Sequence, residues 1–430
     1  MIFISIIRKV GAGFFPALFL TIIISLNLSQ NAFAITLEEA IDLATQKSTQ
    51  IQIEEQKAKL TALSKADATT MFLPNISASY QKGNRTTSIS ESENKLKEDT
   101  RSIELRQPIF NGFQSISRVK EAISKTNAAK EDLKARKNDV ALAVAQSYIN
   151  ILKLRKVLEI ENQQITDYKQ LLALAKQRLS LNDIAYSEYN DYETRNQNLI
   201  LEAQKNKSNL VEYELTFENL VKQKADNLIK PILNLNLTNL DEVLNSATSN
   251  NPKIKSSSNN LKAANSAAFA EKGRILPKAS LLLKRENQKS SYYFGGSTVN
   301  NDIIYLDVTI PIFQSGTEYS AIAKANKEKK IAQLENKLAF EEVEKQVKEE
   351  YGKFNSLRES LVAFEEVSKN ALESLKLTQD RFQKKDIGQM EFLLKKVDVV
   401  EVAKQTLIIE CDMLNSYFVL EAITNDITNL

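Results

Sequence analysis

Residues 108–112 read PIFNG, and residues 311–316 read PIFQSG. A proline, two apolar residues and a glycine suit the end of a strand that stops and turns. The two prolines lie 311 − 108 = 203 positions apart, and this spacing recurs along the chain. Leu37 and Glu39 in TLEEAI correspond to Leu240 and Glu242 in NLDEVL. Leu73-Pro74 corresponds to Leu276-Pro277, and Val140, Val144 and Tyr148 to Val343, Val347 and Tyr351. Arg178 and Asp183 correspond to Arg381 and Asp386. A constant offset over this length marks a tandem duplication almost free of insertions, so each half is one structural unit. The units are residues 35–230 and 240–430. The linker 231–239 lies in KPILNLNLTNL (230–240), a candidate for a short strand of its own.

The order within a unit can therefore be read twice. Thr36-x-x-Glu39 and Asn239-x-x-Glu242 are helix-capping patterns, a side-chain oxygen followed three residues later by a glutamate. A helical stretch then runs to each Leu-Pro pair, which breaks it. Beyond that the period changes to two. Ile76, Ala78 and Tyr80 alternate with Ser77, Ser79 and Gln81, and Ile103 and Leu105 with Ser102, Glu104 and Arg106. In the second half, Leu281 and Leu283 alternate with Ser280 and Lys284. Ile304, Leu306, Val308 and Ile310 alternate with Tyr305, Asp307 and Thr309. Each unit thus predicts two strands with one apolar face, joined by a long polar connection.

After each PIF motif the pattern is helical for a long way. No glycine or proline occurs from Phe113 to Lys230, and only Gly352 and Gly388 interrupt Thr317 to Leu430. Val343, Val347, Tyr351, Phe354, Leu357, Leu361 and Phe364 step by three or four, a coiled-coil-like seam. A helix of about 65 residues would rise roughly 97 Å, far beyond a globular core. It is expected to reverse at SLNDIAYSEY (180–189) and QKKDIGQMEFL (383–393), where Asn182-Asp183 and Gly388 are turn-prone.

Composition narrows the chemistry. With 26% charged and 43% hydrophobic residues the chain is globular in make-up, and its net charge of +3 suggests no nucleic-acid partner. It has no histidine, which excludes histidine catalysis and ligation, and its one cysteine, Cys411, excludes an intramolecular disulfide. No catalytic, metal or cofactor site is expected. Arg8 and Lys9, the apolar run FFPALFLTIIISLNL and Ala32-Phe33-Ala34 form a signal peptide over residues 1–34, with Ile35 first in the mature chain. An uncleaved anchor is the alternative reading of that segment.

Four amphipathic strands of about ten residues have the length that crosses a bilayer. They are too few to close a barrel, and open edges are prohibitive in lipid. Three copies give 3 × 4 = 12 strands, so a homotrimer is the simplest closed solution.

On these residues, from ITLEEAIDLA through both Leu-Pro and PIF motifs to the final helix, the chain resembles the TolC-type outer-membrane efflux proteins. The resemblance implies a mostly α fold with β: a trimeric 12-stranded outer-membrane barrel continued by a periplasmic α-helical barrel. It implies a duct for efflux or type I secretion, with a periplasmic adaptor and an inner-membrane pump as partners. Pro108, Gly112, Pro311 and Gly316 would then mark strand-to-helix turns, with proline ending the ladder and glycine permitting the bend. Adaptor-contacting tips would fall at Leu181, Asn182 and Asp183, and at Lys384, Lys385 and Asp386. Both lack the glycine found at this point in members that pair with the best-known drug pumps. The family's acidic aperture would fall at Glu188 and Glu391, related by 391 − 188 = 203. A second acidic position is Asp191, where the other half has Leu394. A periplasmic coiled-coil adaptor is the competing reading, although no segment suggests an adaptor's β-rich domains. An exported enzyme would need a catalytic cluster that the sequence lacks.

Overall fold

The computed structural model describes residues 35–89, 92–231, 237, 239–290, 298–424 and 427. The expected signal peptide and most of the expected linker (232–236 and 238) lie outside the described residues. In chain order the elements are α1 (Leu37–Lys47), α2 (Thr49–Thr70), β1 (Asn75–Ile89), β2 (Ser92–Asn111), α3 (Gln114–Ser180) and α4 (Tyr186–Val221). Then follow α5 (Leu240–Asn250), α6 (Pro252–Lys272), a 3-10 turn (Gly273–Ile275), β3 (Lys278–Ser290), β4 (Thr298–Thr309), α7 (Thr317–Gln383) and α8 (Gln389–Thr424). Five of the six paired elements start 203 residues after their counterparts, β4 being the exception, and the longest pair matches at both ends: 114 + 203 = 317 and 180 + 203 = 383.

The opening helical stretch is two helices in each half. At α1 the Glu39 N–H donates to Thr36 Oγ1 at 3.2 Å while the Thr36 N–H donates to Glu39 Oε2 at 3.0 Å. At α5 the Glu242 N–H donates to Asn239 Oδ1 at 2.9 Å. The sequence reading missed a second cap twelve residues on. Ser48 and Asn251 leave helical geometry and their side chains accept from the next helix's first amides, so the chain bends there.

The long helices α3 and α7 have 67 residues each and reverse where expected. Of the α7 seam, Val343, Val347 and Phe354 are buried, with Tyr351, Leu357 and Leu361 packed against them. The main core lies where α1, α3, α4, α5, α7 and α8 meet. At its centre Tyr148 is fully buried. Its hydroxyl lies 2.8 Å from the Ile35 carbonyl and 2.6 Å from that of Ile229, and it accepts from the Ile229 N–H at 2.8 Å. Burial pushes its pKa up to about 12. One tyrosine thus ties the first described residue and the end of the first half to the helical core.

The sheet runs β1-β2-β3-β4, antiparallel throughout, so β2 and β3 join the two halves and β1 and β4 are edges.

Candidate functional site

The sheet register separates two chemistries. One face carries Ile76, Leu105, Leu283 and Ile304 in one row and Leu281 beside Leu306 in the next. Ile76, Ile304 and Leu306 are exposed in the single chain. The other face is ionic. Arg106 donates to Asp307 at 3.1 Å, Ser280 at 3.4 Å and Glu104 at 3.4 Å, and Lys284 pairs with Glu286 at 2.5 Å. An apolar face needs lipid or protein against it, and a face of paired charges needs water.

At the base of the sheet the four turn residues play unequal parts. Pro311 lies beyond β4, which ends at Thr309, as expected. Pro108 does not end its ladder: it pairs with Ser280, a bulge follows between Pro108 and Phe110, and β2 continues to Asn111. The missing N–H is tolerated because β1 pairs only as far as Arg106, leaving Pro108 an edge position on that side. The bend itself is a pair of left-handed residues, Gly112 and Phe113 (φ 66° and 63°) in one half and Ser315 and Gly316 (φ 58° and 77°) in the other. In register, therefore, Gly112 matches Ser315 and Phe113 matches Gly316. Each pair has one glycine, not at the same place. Gly112 also permits a close approach, since a Cβ there would lie 2.4 Å from the Gly273 carbonyl oxygen of the other half. Around Gly316 that space is open.

At the far end of the helices the two tips are built alike. Asn182 N–H donates to Leu179 O at 3.0 Å and Asp183 N–H to Arg178 O at 2.9 Å. Lys385 N–H donates to Phe382 O at 3.0 Å and Asp386 N–H to Arg381 O at 2.9 Å. Asn182 and Lys385 are left-handed, φ 58° and 64°. This is a Schellman closure, which usually places glycine at the left-handed position. The expected turn residue of the second tip, Gly388, is not the left-handed one; Lys385 takes that conformation, and Gly388 precedes α8 in open space. Leu181 is exposed, whereas Ile184 and Ile387 turn inward. Arg178 clamps the first tip through Nε to Asp183 Oδ2 at 2.6 Å.

The acidic candidates sit just beyond. Glu188 and Glu391 occupy the first turns of α4 and α8, where a negative charge complements the helix dipole. Glu188 accepts from the Tyr192 hydroxyl at 3.4 Å, and burial together with Glu188 raises the pKa of that phenol. Glu391 lies 3.8 Å from Arg381 on its own hairpin. Asp191 is exposed, while its counterpart Leu394 packs on the small cluster of Tyr168, Leu171, Leu393 and Val397 that joins the hairpins. The single chain joins neither glutamate to the other. Among the described residues there is no metal-ligating cluster.

Sequence reasoning missed a buried ionic group midway along the helices. Lys404 Nζ lies 3.0 Å from Glu401, 3.2 Å from Glu202 and 3.9 Å from Glu161, with Lys404 and Glu161 side chains essentially sealed from solvent. Burial pulls the Lys404 pKa down, but Glu401 and Glu202 outweigh it and leave it above the ordinary lysine value. Burial raises the Glu161 pKa against a 2.7 Å hydrogen bond from Asn206. The signal was present: Val397, Lys404 and Cys411 are spaced by seven along one buried stripe of α8, and a lysine in such a stripe needs partners.

A four-stranded sheet with one lipid-suited and one ionic face, continued by paired helices of this length, is a wall segment of an outer-membrane channel fold. The profile of the outer membrane efflux protein family matches residues 40–181 and 243–414, and the chain belongs to that family. The family's place is the outer membrane. A curated relative, outer membrane efflux protein BepC of Brucella suis biovar 1 (strain 1330), is 20% identical over 262 residues, 61% of this chain. The chain matches 58% of that relative's length. Among solved structures, the outer membrane protein VceC of Vibrio cholerae superposes with a TM-score of 0.75 at 13% identity, covering 91% of this chain and 96% of that one. The CmeC outer membrane channel of Campylobacter jejuni gives 0.70 at 16% identity, covering 91% and 85%.

Proposed function

We propose that three copies of this chain form a closed export duct through the outer membrane, for efflux or type I secretion. The observation that carries this reading is what the 203-residue rule leaves unpaired. Within one chain α3 packs on α6 and α8 of the other half, and β2 pairs with β3. Repeating the same step requires α7 to pack on α2 and α4 of a second copy, and β4 to pair with its β1. The faces concerned are uncovered: Ile331, Leu334 and Leu338 on α7, Ile53, Leu60 and Leu63 on α2, and Leu201, Val211 and Leu215 on α4. Three copies close the ring at twelve strands with no free edge. In this reading residues 35–230 and 240–430 are the two units of a repeat that the ring contains six times.

The ionic sheet face then lines the lumen and the tips point into the periplasm. An adaptor would meet Leu181, Asn182, Asp183, Lys384, Lys385 and Asp386, and would connect the duct to an inner-membrane pump. Glu188, Glu391 and Asp191 would ring the periplasmic opening, where nine carboxylates in a narrow mouth favour cations. Replacing Glu188 and Glu391 by Gln keeps side-chain volume and removes charge. Planar-bilayer recordings should then show the cation preference reduced; unchanged selectivity with an intact trimer would remove these glutamates from the aperture. Cysteines at Asn182 or Lys385 should cross-link to a periplasmic protein in intact cells, and failure at both tips would overturn the docking assignment. The adaptor alternative loses ground to family membership and to the lipid-suited sheet face.

A further inference from the structure

We propose that the outward face of the sheet holds a binding site for the phosphate group of an outer-leaflet lipid, built by Tyr80, Arg101 and Arg285. This rests on the membrane placement proposed above. Moving away from the helices, the apolar rows give way to Ala78, Ile103, Arg285 and Asp302, and then to Tyr80, Arg101, Asn287 and Asn300. At the helix end the same belt begins with exposed Phe72, Phe113, Ile312 and Phe313. On β4 the strand runs from Thr309 at the helix end to Asn300 in the Arg101 row, 309 − 300 = 9 residues. At about 3.4 Å per residue that is about 31 Å of strand, or about 23 Å of height at a tilt of about 40°. The apolar band of an outer-membrane barrel is about 25 Å tall. The arginine rows therefore fall at its outer boundary, where lipid phosphates lie.

The chemistry at that level suits a phosphate. Arg285 holds Asp302 through Nε at 2.7 Å and Nη2 at 2.8 Å, which fixes the guanidinium and leaves three of its five N–H donors free of that pair. The Arg101 guanidinium lies 5.5 Å from the centroid of the Tyr80 ring. Asp99 holds both, accepting from the Tyr80 hydroxyl at 3.3 Å and lying 3.6 Å from Arg101. A cavity of about 710 Å³ opens between Tyr80, Arg101, Ile103, Arg285 and Asn287. The next row adds Lys82 and Lys289 on either side of Asp99. Across these outward rows four cations face two carboxylates, 4 − 2 = +2, directly above an apolar surface. Guanidinium groups at fixed positions recognise phosphate through paired N–H bonds, and Ala78 and Ile103 below offer an acyl chain a dry surface. A free anion would gain nothing from that second feature.

The full chain, purified in detergent, is titrated with bis-phosphorylated lipid A, with dephosphorylated lipid A and with inorganic phosphate, and bound species are resolved by native mass spectrometry. The bis-phosphorylated lipid should bind about tenfold or more tightly than the dephosphorylated form. Arg101→Gln with Arg285→Gln should abolish that preference and leave the dephosphorylated lipid's affinity unchanged. Equal affinity of the two lipids for the parent chain overturns the proposal, as does a preference that survives in the double variant. Competition by inorganic phosphate at the lipid's own affinity overturns it in favour of a free-anion site. The chain has no tryptophan, so Leu306→Trp supplies a single reporter for the placement. Brominated acyl chains should quench it in reconstituted vesicles. Absence of quenching overturns the membrane placement and the site with it; quenching without phosphate preference overturns the site alone.

Discussion

Helices α3 and α7 are the same length, lie at the same place in their halves and share one pattern, yet α3 is covered on faces that α7 leaves exposed. α3 is enclosed by α2, α4, α6 and α8, and Ala128 on it is 2% exposed. Ile331, the residue 203 positions later on α7, is 54% exposed. Nothing in the local pattern distinguishes them. What differs is the partner: α3 faces the other half of its own chain, and in the proposed ring α7 would face the next copy. The seams also differ chemically. The seam within the chain carries Glu161, Glu202, Glu401 and Lys404, whereas the positions 203 residues away, which would meet between copies in the proposed ring, are Phe364, Gln405, Asn198 and Leu201. One set of positions is ionic and the other carries no charge.

The largest effect should come from breaking the ionic joint. Lys404→Met leaves three carboxylates without their cation, and loss of one partner of a buried pair costs about 3–5 kcal/mol. Thermal unfolding in detergent should show it, and Leu201→Met, at the matching place in the other seam, should be nearly silent. The same joint carries a pH signature. Glu161 has a pKa above its ordinary value of 4.5, so its protonated form favours the folded state and that contribution is lost as pH rises through the folded pKa. Relative to the parent, Glu161→Gln should gain stability as pH rises above that ordinary value. A constant difference across pH would show that Glu161 is not desolvated.

Next in size is the lipid-facing side of the sheet. Leu306→Arg puts a charge among the apolar rows and should cost about 2–4 kcal/mol of membrane assembly. Yield of heat-resistant oligomer in the outer-membrane fraction is the measure, and parent-like yield would reverse the assigned face.

The comparison of α3 with α7 can be sharpened by one charge placed twice. Ile331→Asp removes an isoleucine whose burial is worth about 1.5–3 kcal/mol, and only in the assembly. Light scattering in detergent should report smaller particles with helical content retained. Ala128→Asp should instead weaken the chain itself. If Ile331→Asp assembles normally, α7 does not face the next copy.

The smallest effect separates the two tips. A non-glycine residue in the left-handed region costs roughly 1 kcal/mol, less for Asn. Lys385→Gly should stabilise the second hairpin by about 0.5–1 kcal/mol and Asn182→Gly the first by less, read as slower amide exchange at Asp386 and Asp183.

Much of this architecture was legible because it depends on local sequence. Period-two alternation named the faces of β1 to β4, the long glycine- and proline-free runs gave α3 and α4, and Thr36 and Asn239 announced their caps. The bend after each PIF motif was legible as a place but not in detail. Which of two adjacent residues carries the glycine depends on whether a neighbour such as Gly273 presses against it. The caps at Ser48 and Asn251 fall inside what the sequence shows as one helical stretch, because serine and asparagine acquire cap geometry only where the chain turns. The tip prediction favoured Gly388 by propensity, but the Schellman bonds fall three residues earlier, where Asp386 can reach Arg381.

By itself the sequence determined the repeat, the order of elements and the two faces of the sheet, since each follows from spacing along a single strand or helix. The tertiary structure alone decided that Lys404 meets Glu161 and Glu202 from two other helices, and that Ala128 on α3 is covered while Ile331 on α7 is not. Those are facts about distances between residues some 200 positions apart, and no periodicity within one helix can encode which face its partner will cover.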